Sequence, residues 1–221
     1  IVAVSAPVKR SGDDIKVTDL LIDLADTALA GGDVASKIDV VVNRYRAITD
    51  GLGLDNTMTD IIAADLRERV EADRSNTDLF IDSIKASGED NNAKVIASYF
   101  NSIGLPAKYV SPKEGLVVND LPERTFALPE AYTNLSKLKD SQEIIVFPGF
   151  FGYTKTGVLR TFDRGGSDIT GSILASAVGA KLYENFTDVD CVFAANPKVV
   201  NDPVDIKEIT YREMRELSYA G

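Results

Sequence analysis

The sequence predicts an α/β fold, a largely parallel or mixed sheet covered by helices, on three observations. A chain of 221 residues with 44% hydrophobic side chains has apolar content for one large domain or two smaller ones, and is not composed like a disordered chain. Most of its first half carries apolar residues at helical spacing. From Leu105 the texture changes to short β-rich segments alternating with helical ones, as strands joined through helices require.

Taken in order, "IVAVS" reads as a buried strand that leads into a proline-containing loop with Lys9, Arg10 and Gly12. "VTDLLIDLADTALAGG" sets Leu20, Leu21, Leu24, Ala25 and Ala28 at helical spacing, with Thr18 near the start and Gly31-Gly32 as the stop. Comparable periodicity predicts helices in "ASKIDVVVNRYRAITDGLG", "MTDIIAADLRERVEAD" and "NTDLFIDSIKAS", the last ending at Ser87. "GEDNNAKVIASYFNSIG" reads as a separate helix whose acidic start suits the positive end of its dipole. "AKYVS", "GLVVND", "EIIVFPGF" and "VLRTF" read as β-rich segments, with a polar helix near residues 129–139. "GSDITGSILASAVGA" has the small residues of a tightly packed helix. No internal repeat or low-complexity linker is present.

Charge and residue usage narrow the chemistry. A net charge of -10 repels phosphate backbones and anionic lipid, so neither nucleic acid nor membrane is an expected partner, and an anionic substrate needs a local basic pocket. The single cysteine, Cys191, excludes an intrachain disulfide. With no histidine in the chain, catalysis must rest on carboxylates, Lys, Arg, hydroxyls and backbone amides. No apolar run approaches the ~18 residues of a spanning helix. Ile1 opens without methionine on what already reads as a strand, and "ITYREMRELSYAG" stops on a helix with a glycine cap, so something is expected before Ile1.

In open α/β sheets, ligands sit outside the carboxyl ends of the strands, where loops enter helices. Four segments fit: "VSAPVKRSG", "VFPGFFG", "DRGGSDITG" and "ENFTDVDCVFAANPK". The third is the most specific. Gly165 and Gly166 can adopt backbone angles closed to other residues, the following helix offers N–H groups to an anion, and Arg164 adds a planar cationic fork. A Walker P-loop is excluded, because Gly166 and Gly171 have the spacing but Ser172 stands in place of lysine. The alternative is a tight turn capped by Ser167 or Asp168. Thr187 and Asp188 read as nucleotide or metal-water ligands or as turn residues, and Glu89 as an ammonium partner or as a first-turn acid. Phe150 and Phe151 read as core, and Ser5 as a turn hydroxyl.

In this order, "SAP…VTDLL", "SGED", "VFPGFFG", "RGGSDITGSILA", "ENFTDVDCVFAANPK" and "YREMRELSYAG" resemble the aspartokinase catalytic domain of the amino-acid kinase superfamily, over nearly the whole chain. The resemblance implies a three-layer α/β/α sandwich with a largely parallel central sheet, lacking its first strand here. It implies transfer of the γ-phosphoryl of ATP to the side-chain carboxylate of L-aspartate, toward lysine, threonine and methionine, in a cytoplasmic protein that is a homo-oligomer at full length. Mg²⁺ would accompany ATP, bridging phosphates with few direct protein ligands. By motif match, Ser5, Thr18, Glu89, Phe150, Arg164, Gly165, Gly166, Ser167 and Asp168 form the aspartate side. Arg164 would grip a substrate carboxylate, Glu89 would face the amino group, and Asp168 would orient the reacting groups. Thr187, Asp188, Phe193 and Lys198 form the nucleotide side, the last two replacing the family's tyrosine and arginine. The family's Lys-Phe-Gly-Gly turn and its ACT regulatory domains do not occur in these residues, so 1–221 reads as a catalytic-domain segment cut at both ends. Two other readings stay open: a kinase of glutamate or N-acetylglutamate, the latter offering Glu89 no ammonium, and a non-catalytic ligand sensor on the same fold.

Overall fold

The computed structural model describes residues 1–121, 123–163, 165–186, 191–196, 199–210 and 212–214. Within the unit Ile1–Tyr183 the elements run β1 (Val2–Val4), α1 (Val17–Leu29), α2 (Val34–Gly51), α3 (Thr57–Glu71), α4 (Thr77–Ser102), β2 (Ala107–Tyr109), α5 (Pro129–Leu135), β3 (Ile144–Pro148), β4 (Phe151–Tyr153), β5 (Leu159–Thr161) and α6 (Gly166–Val178). The unit Glu184–Gly221 carries a short antiparallel pair, β6 (Val192–Phe193) with β7 (Asp205–Ile206).

The parallel sheet has the order β1-β3-β2, with Val2 opposite Val146 and Ala107 opposite Ile144. The central strand is the unbroken apolar run "IIVFP", as a strand covered on both faces requires. Ile145 and Phe147 enter a cluster with Leu135 of α5 and Leu174 of α6, while Val146 packs with Ala93 and Ala97 of α4. The two-residue period of the strand thus assigns α4 to one face and α5 and α6 to the other.

Helices α1 to α3 form a layer against the other side of α4. Leu21, Leu24 and Ala28 of α1, Val41 and Tyr45 of α2, Ile62 and Leu66 of α3 and Ile84 of α4 share one buried cluster, each set at helical spacing. The caps follow the sequence, since Asp33 accepts from the Ser36 N–H at 3.2 Å and Asn76 from the Leu79 N–H at 3.2 Å.

Three expectations are corrected. The helix break at Ser87-Gly88 does not exist: α4 runs unbroken for 26 residues. Gly88 is a packing residue, because a Cβ there would lie 2.9 Å from the Ala6 Cβ and 3.1 Å from Leu21 Cδ1. A glycine inside a helix costs about 1 kcal/mol relative to alanine, whereas burying one leucine gains about 1.5–3 kcal/mol, so close packing wins over propensity. Glu89 therefore stands mid-helix and is not a first-turn acid. Nor is "GLVVND" a strand. Val117 and Val118 make single bridges to Tyr153 and Ala127, and the Asn119 side chain then turns the chain by accepting from the Phe126 N–H at 2.6 Å and donating to the Arg124 carbonyl at 2.8 Å. The polar helix splits into α5 and a 3-10 turn over Ser136–Asp140.

Candidate active site

A cavity of about 800 Å³ opens at the carboxyl ends of β1 and β3. Ser5, Thr18, Glu89, Phe150, Gly165, Gly166, Ser167 and Asp168 all line it. Each arrives on a different support. Ser5 follows β1, and its carbonyl accepts from Asn92 Nδ2 of α4 at 2.7 Å. Thr18 is in the first turn of α1, Glu89 in the middle of α4, and Phe150 in the turn after β3. Arg164, Thr187, Asp188 and Lys198 lie outside the described residues. Phe193 belongs to β6 in the smaller unit.

The glycine turn differs from the simple capped turn that was one reading of it. Gly165 itself occupies the N-cap position of α6, in the left-handed region at φ 76°, so neither Ser167 nor Asp168 is the cap residue. Gly166 needs no unusual backbone angle; it is small because a Cβ would lie 2.7 Å from Phe150 Cδ2. Phe150 is also left-handed, at φ 77°, a conformation that costs a non-glycine residue on the order of 1 kcal/mol or more. Its N–H donates to Thr170 Oγ1 at 3.1 Å and its carbonyl accepts from the Phe162 N–H at 2.7 Å, which fixes the turn from both sides. The ring lines the cavity, whereas Phe151 is core as expected.

The electrostatics centre on Glu89. It is 6% exposed, and Oε2 has no hydrogen-bond partner among the described residues. Its neighbours on α4 are satisfied: Asp90 by Arg69 and Lys94, Asn91 by Asp65. Buried polar atoms are almost always paired, so this oxygen marks where a donor from a ligand would be taken up. Burial pushes the carboxyl up to about 7, opposed by the Ala6 N–H, its own backbone N–H and the charge of Lys85.

That shift has a sign. The folded protein holds the proton to about 7, while the ordinary carboxyl value is 4.5. Stability from this group is therefore fully present below 4.5 and lost as pH rises through about 7. Glu89→Gln should flatten that decline, by up to about 3 kcal/mol between the two limits. Urea unfolding at pH 5 and pH 8 measures it, and parallel profiles for the two proteins would refute it.

Residues 16–221 match the profile of the amino acid kinase family. The chain belongs to that family. It is 52% identical to Aspartokinase 3 of Bacillus subtilis (strain 168) over 221 residues, which is 100% of this chain and 49% of that protein. It is 27% identical, over 93% of its length and 24% of the other, to a chloroplastic bifunctional aspartokinase/homoserine dehydrogenase 2 of Arabidopsis thaliana. The chain thus spans about half the length of the Bacillus protein and less of the plant one. Among solved structures, Clostridium acetobutylicum aspartate kinase superposes with a TM-score of 0.82 at 31% identity, over 99% of this chain and 48% of that one. E. coli aspartokinase III in complex with aspartate and ADP shares the fold, with a TM-score of 0.77 at 24% identity over 97% of this chain and 49% of that one. The resemblance to aspartokinases read from the motifs holds along the whole chain.

In this member of the amino acid kinase family the motifs did not reveal every wall of the cavity. Asp78, Ile81, Asp82, Lys85 and Glu89 all line it from α4 at spacings of three, four and seven residues, one face of one helix. Reading "NTDLFIDSIKASGED" as continuous would have exposed that face. Arg124 and Arg160 also line it, and with Lys85 they set cations among the lining acids Asp78, Asp82, Glu89, Asp163 and Asp168. Arg160 Nη2 donates to the Leu121 carbonyl at 3.0 Å, which ties the β4–β5 hairpin to the 119–127 loop.

Proposed function

We propose that the chain is the catalytic domain of an aspartate kinase that transfers the γ-phosphoryl group of ATP to the side-chain carboxylate of L-aspartate, toward lysine, threonine and methionine. The observation that carries this is the cavity at the strand ends, where an orphaned Glu89 oxygen and the glycine turn at the start of α6 share one wall system. Likeness to aspartokinases over the whole chain supports the choice of substrate. In this reading the substrate ammonium meets Glu89, Arg164 holds a carboxylate with its two-pronged fork, the N–H groups of the first turn of α6 and Ser167 receive the reacting carboxylate, and Asp168 orients the reacting groups. An oxygen of that carboxylate bonds to the γ-phosphorus, the bond to the β,γ-bridging oxygen breaks, and ADP leaves with the electron pair. No proton need move, which suits a site in a chain without histidine.

The nucleotide side falls to Thr187, Asp188, Phe193 and Lys198. Mg²⁺ would come with the nucleotide, neutralising phosphate charge. The same reading extends the fold to a three-layer α/β/α sandwich with a largely parallel sheet and a further strand, in a homo-oligomeric protein working where ATP and free aspartate are found, the cytoplasm. No helix among the described residues is long and apolar enough to cross a membrane.

Turnover of ATP by the full-length protein with L-aspartate, L-glutamate and N-acetyl-L-glutamate tests the substrate. Aspartate should be preferred, and preference for either other acid would overturn the assignment. Binding of ATP and aspartate without transfer would instead indicate a ligand sensor. Asp168→Asn tests the site. As the third residue of α6, Asp168 contributes about 0.3–1 kcal/mol through the helix dipole, and the melting temperature of the variant is read beside its turnover. Turnover should fall at least ~10-fold, about 1.4 kcal/mol of transition-state stabilisation. A stable variant with ordinary turnover removes Asp168 from the chemistry.

A further inference from the structure

Lys85 stands four residues before Glu89 on α4 and lines the same cavity. Its Nζ is 3.2 Å from Asp82 Oδ1 and 5.5 Å from the centre of the Phe150 ring. Asp82 is itself anchored by Thr161, whose Oγ1 donates to the same Oδ1 at 2.8 Å and whose N–H donates to Oδ2 at 3.4 Å. The ring in turn is pinned by its left-handed backbone and by Gly166. A lysine ammonium ordinarily prefers bulk water. Here an ion pair and an aromatic face, each anchored elsewhere, seat it in the cavity wall one turn from an unpartnered carboxylate oxygen.

We infer that Lys85 is a positioning residue for the amino-acid substrate: seated by Asp82 and Phe150, its ammonium acts through Glu89 and keeps that carboxylate ready for a substrate ammonium. This rests on the aspartate kinase reading for the identity of the substrate, but not for the coupling between the two side chains. Around Glu89, Asp78 and Asp82 lie on the same helix, and Asp168 faces the cavity from α6. Arg124, Arg160 and Asp163 line it from the loops and the hairpin, and the buried Tyr45 hydroxyl of α2 donates to the Gly88 carbonyl at 2.7 Å from the core side. The Lys85 charge favours the ionised form of the Glu89 carboxyl, against the burial that raises it.

The test is a titration of Glu89 in the full-length protein carrying ¹³C-labelled glutamate, with Glu89→Gln assigning the signal. In Lys85→Met the Glu89 midpoint should move alkaline by roughly half a pH unit or more, and Lys85→Arg should return it. Lys85→Gln replaces the methionine variant if that one fails to fold. The aspartate KM of Lys85→Met should rise ~3-fold or more near pH 6.5 and converge on the wild-type value by pH 8.5, where both carboxyls are ionised. A Glu89 midpoint that stays put without the Lys85 charge overturns the inference, whatever the substrate. A midpoint that moves in a protein that does not phosphorylate aspartate sustains the coupling and instead defeats the aspartate reading. A KM raised equally at all pH values would mean that Lys85 is merely structural.

Discussion

Gly149→Ala should lower aspartate turnover by the full-length protein ~100-fold or more, although the substituted residue makes no proposed contact with substrate. Its Cβ would lie 2.6 Å from Ser167 Oγ and 2.7 Å from Ser167 Cα, so backbone must move as well as a side chain. Gly149 cannot yield, because its N–H donates to the Val4 carbonyl at 2.9 Å and so continues the parallel sheet. The start of α6 is the part that gives way, carrying Ser167 and Asp168 with it. Overpacking of this kind costs about 1–3 kcal/mol of stability, which leaves a folded protein to assay. Turnover is read beside the melting temperature. A folded variant with wild-type turnover would show that the first turn of α6 is not positioned by this approach.

Arg69→Met should destabilise the fold by about 3–5 kcal/mol, the usual consequence of removing one partner from a buried charge network. Arg69 Nε is 3.0 Å from both Asp65 oxygens, Nη2 is 3.1 Å from Asp90 Oδ2, and Nη1 donates to the Ser83 carbonyl at 2.8 Å. Asp90 is shared further with Lys94 and with the Tyr109 hydroxyl, which burial and then the Asp90 charge push well above its ordinary value. Without the guanidinium, two largely buried carboxylates on α3 and α4 face each other's charge. Lysine in its place should recover less than half of the loss, since one point charge cannot serve both acids and a carbonyl. Urea midpoints for the three proteins decide this. A loss under about 1 kcal/mol would place the network among surface pairs of little consequence.

What could be read beforehand follows from how local each cause is. The apolar spacing in α1, α2 and α3 needs no tertiary information, and those helices lie within a residue or two of where the periodicity set them. The Gly165–Asp168 turn was readable because strand-end loops announce themselves through glycine and hydroxyl residues, whereas Ser5 and Phe150 read locally as a turn hydroxyl and as core and reached the site only through the motif resemblance. Gly88 was misread because glycine usually ends helices, and only the approach of Ala6 and Leu21 explains why this one does not. Val117 and Val118 have strand propensity, but Asn119 closes the loop before a ladder can grow. Lys85, Asp82 and Arg160 look in sequence like ordinary solvated charges. Their place in the cavity depends on the unbroken length of α4 and on the hairpin folding back over it, which no short stretch encodes.

The continuity of α4 also constrains how such a chain can change length. At 1.5 Å per residue its 26 residues span about 39 Å, and Glu89 sits near the middle. Inserting or deleting one residue inside the helix, between Lys85 and Glu89, would rotate every later side chain by about 100° relative to those before it. That single step would turn Glu89 away from the face shared by Asp78, Asp82 and Lys85, and would turn Asp90 away from Arg69 and Tyr109. A frame change of one residue there would disturb the cavity wall and the core together. Viable length variation is thereby confined to the flanks, at residues 72–76 and 103–106, and the helix between them behaves as an indivisible unit of inheritance.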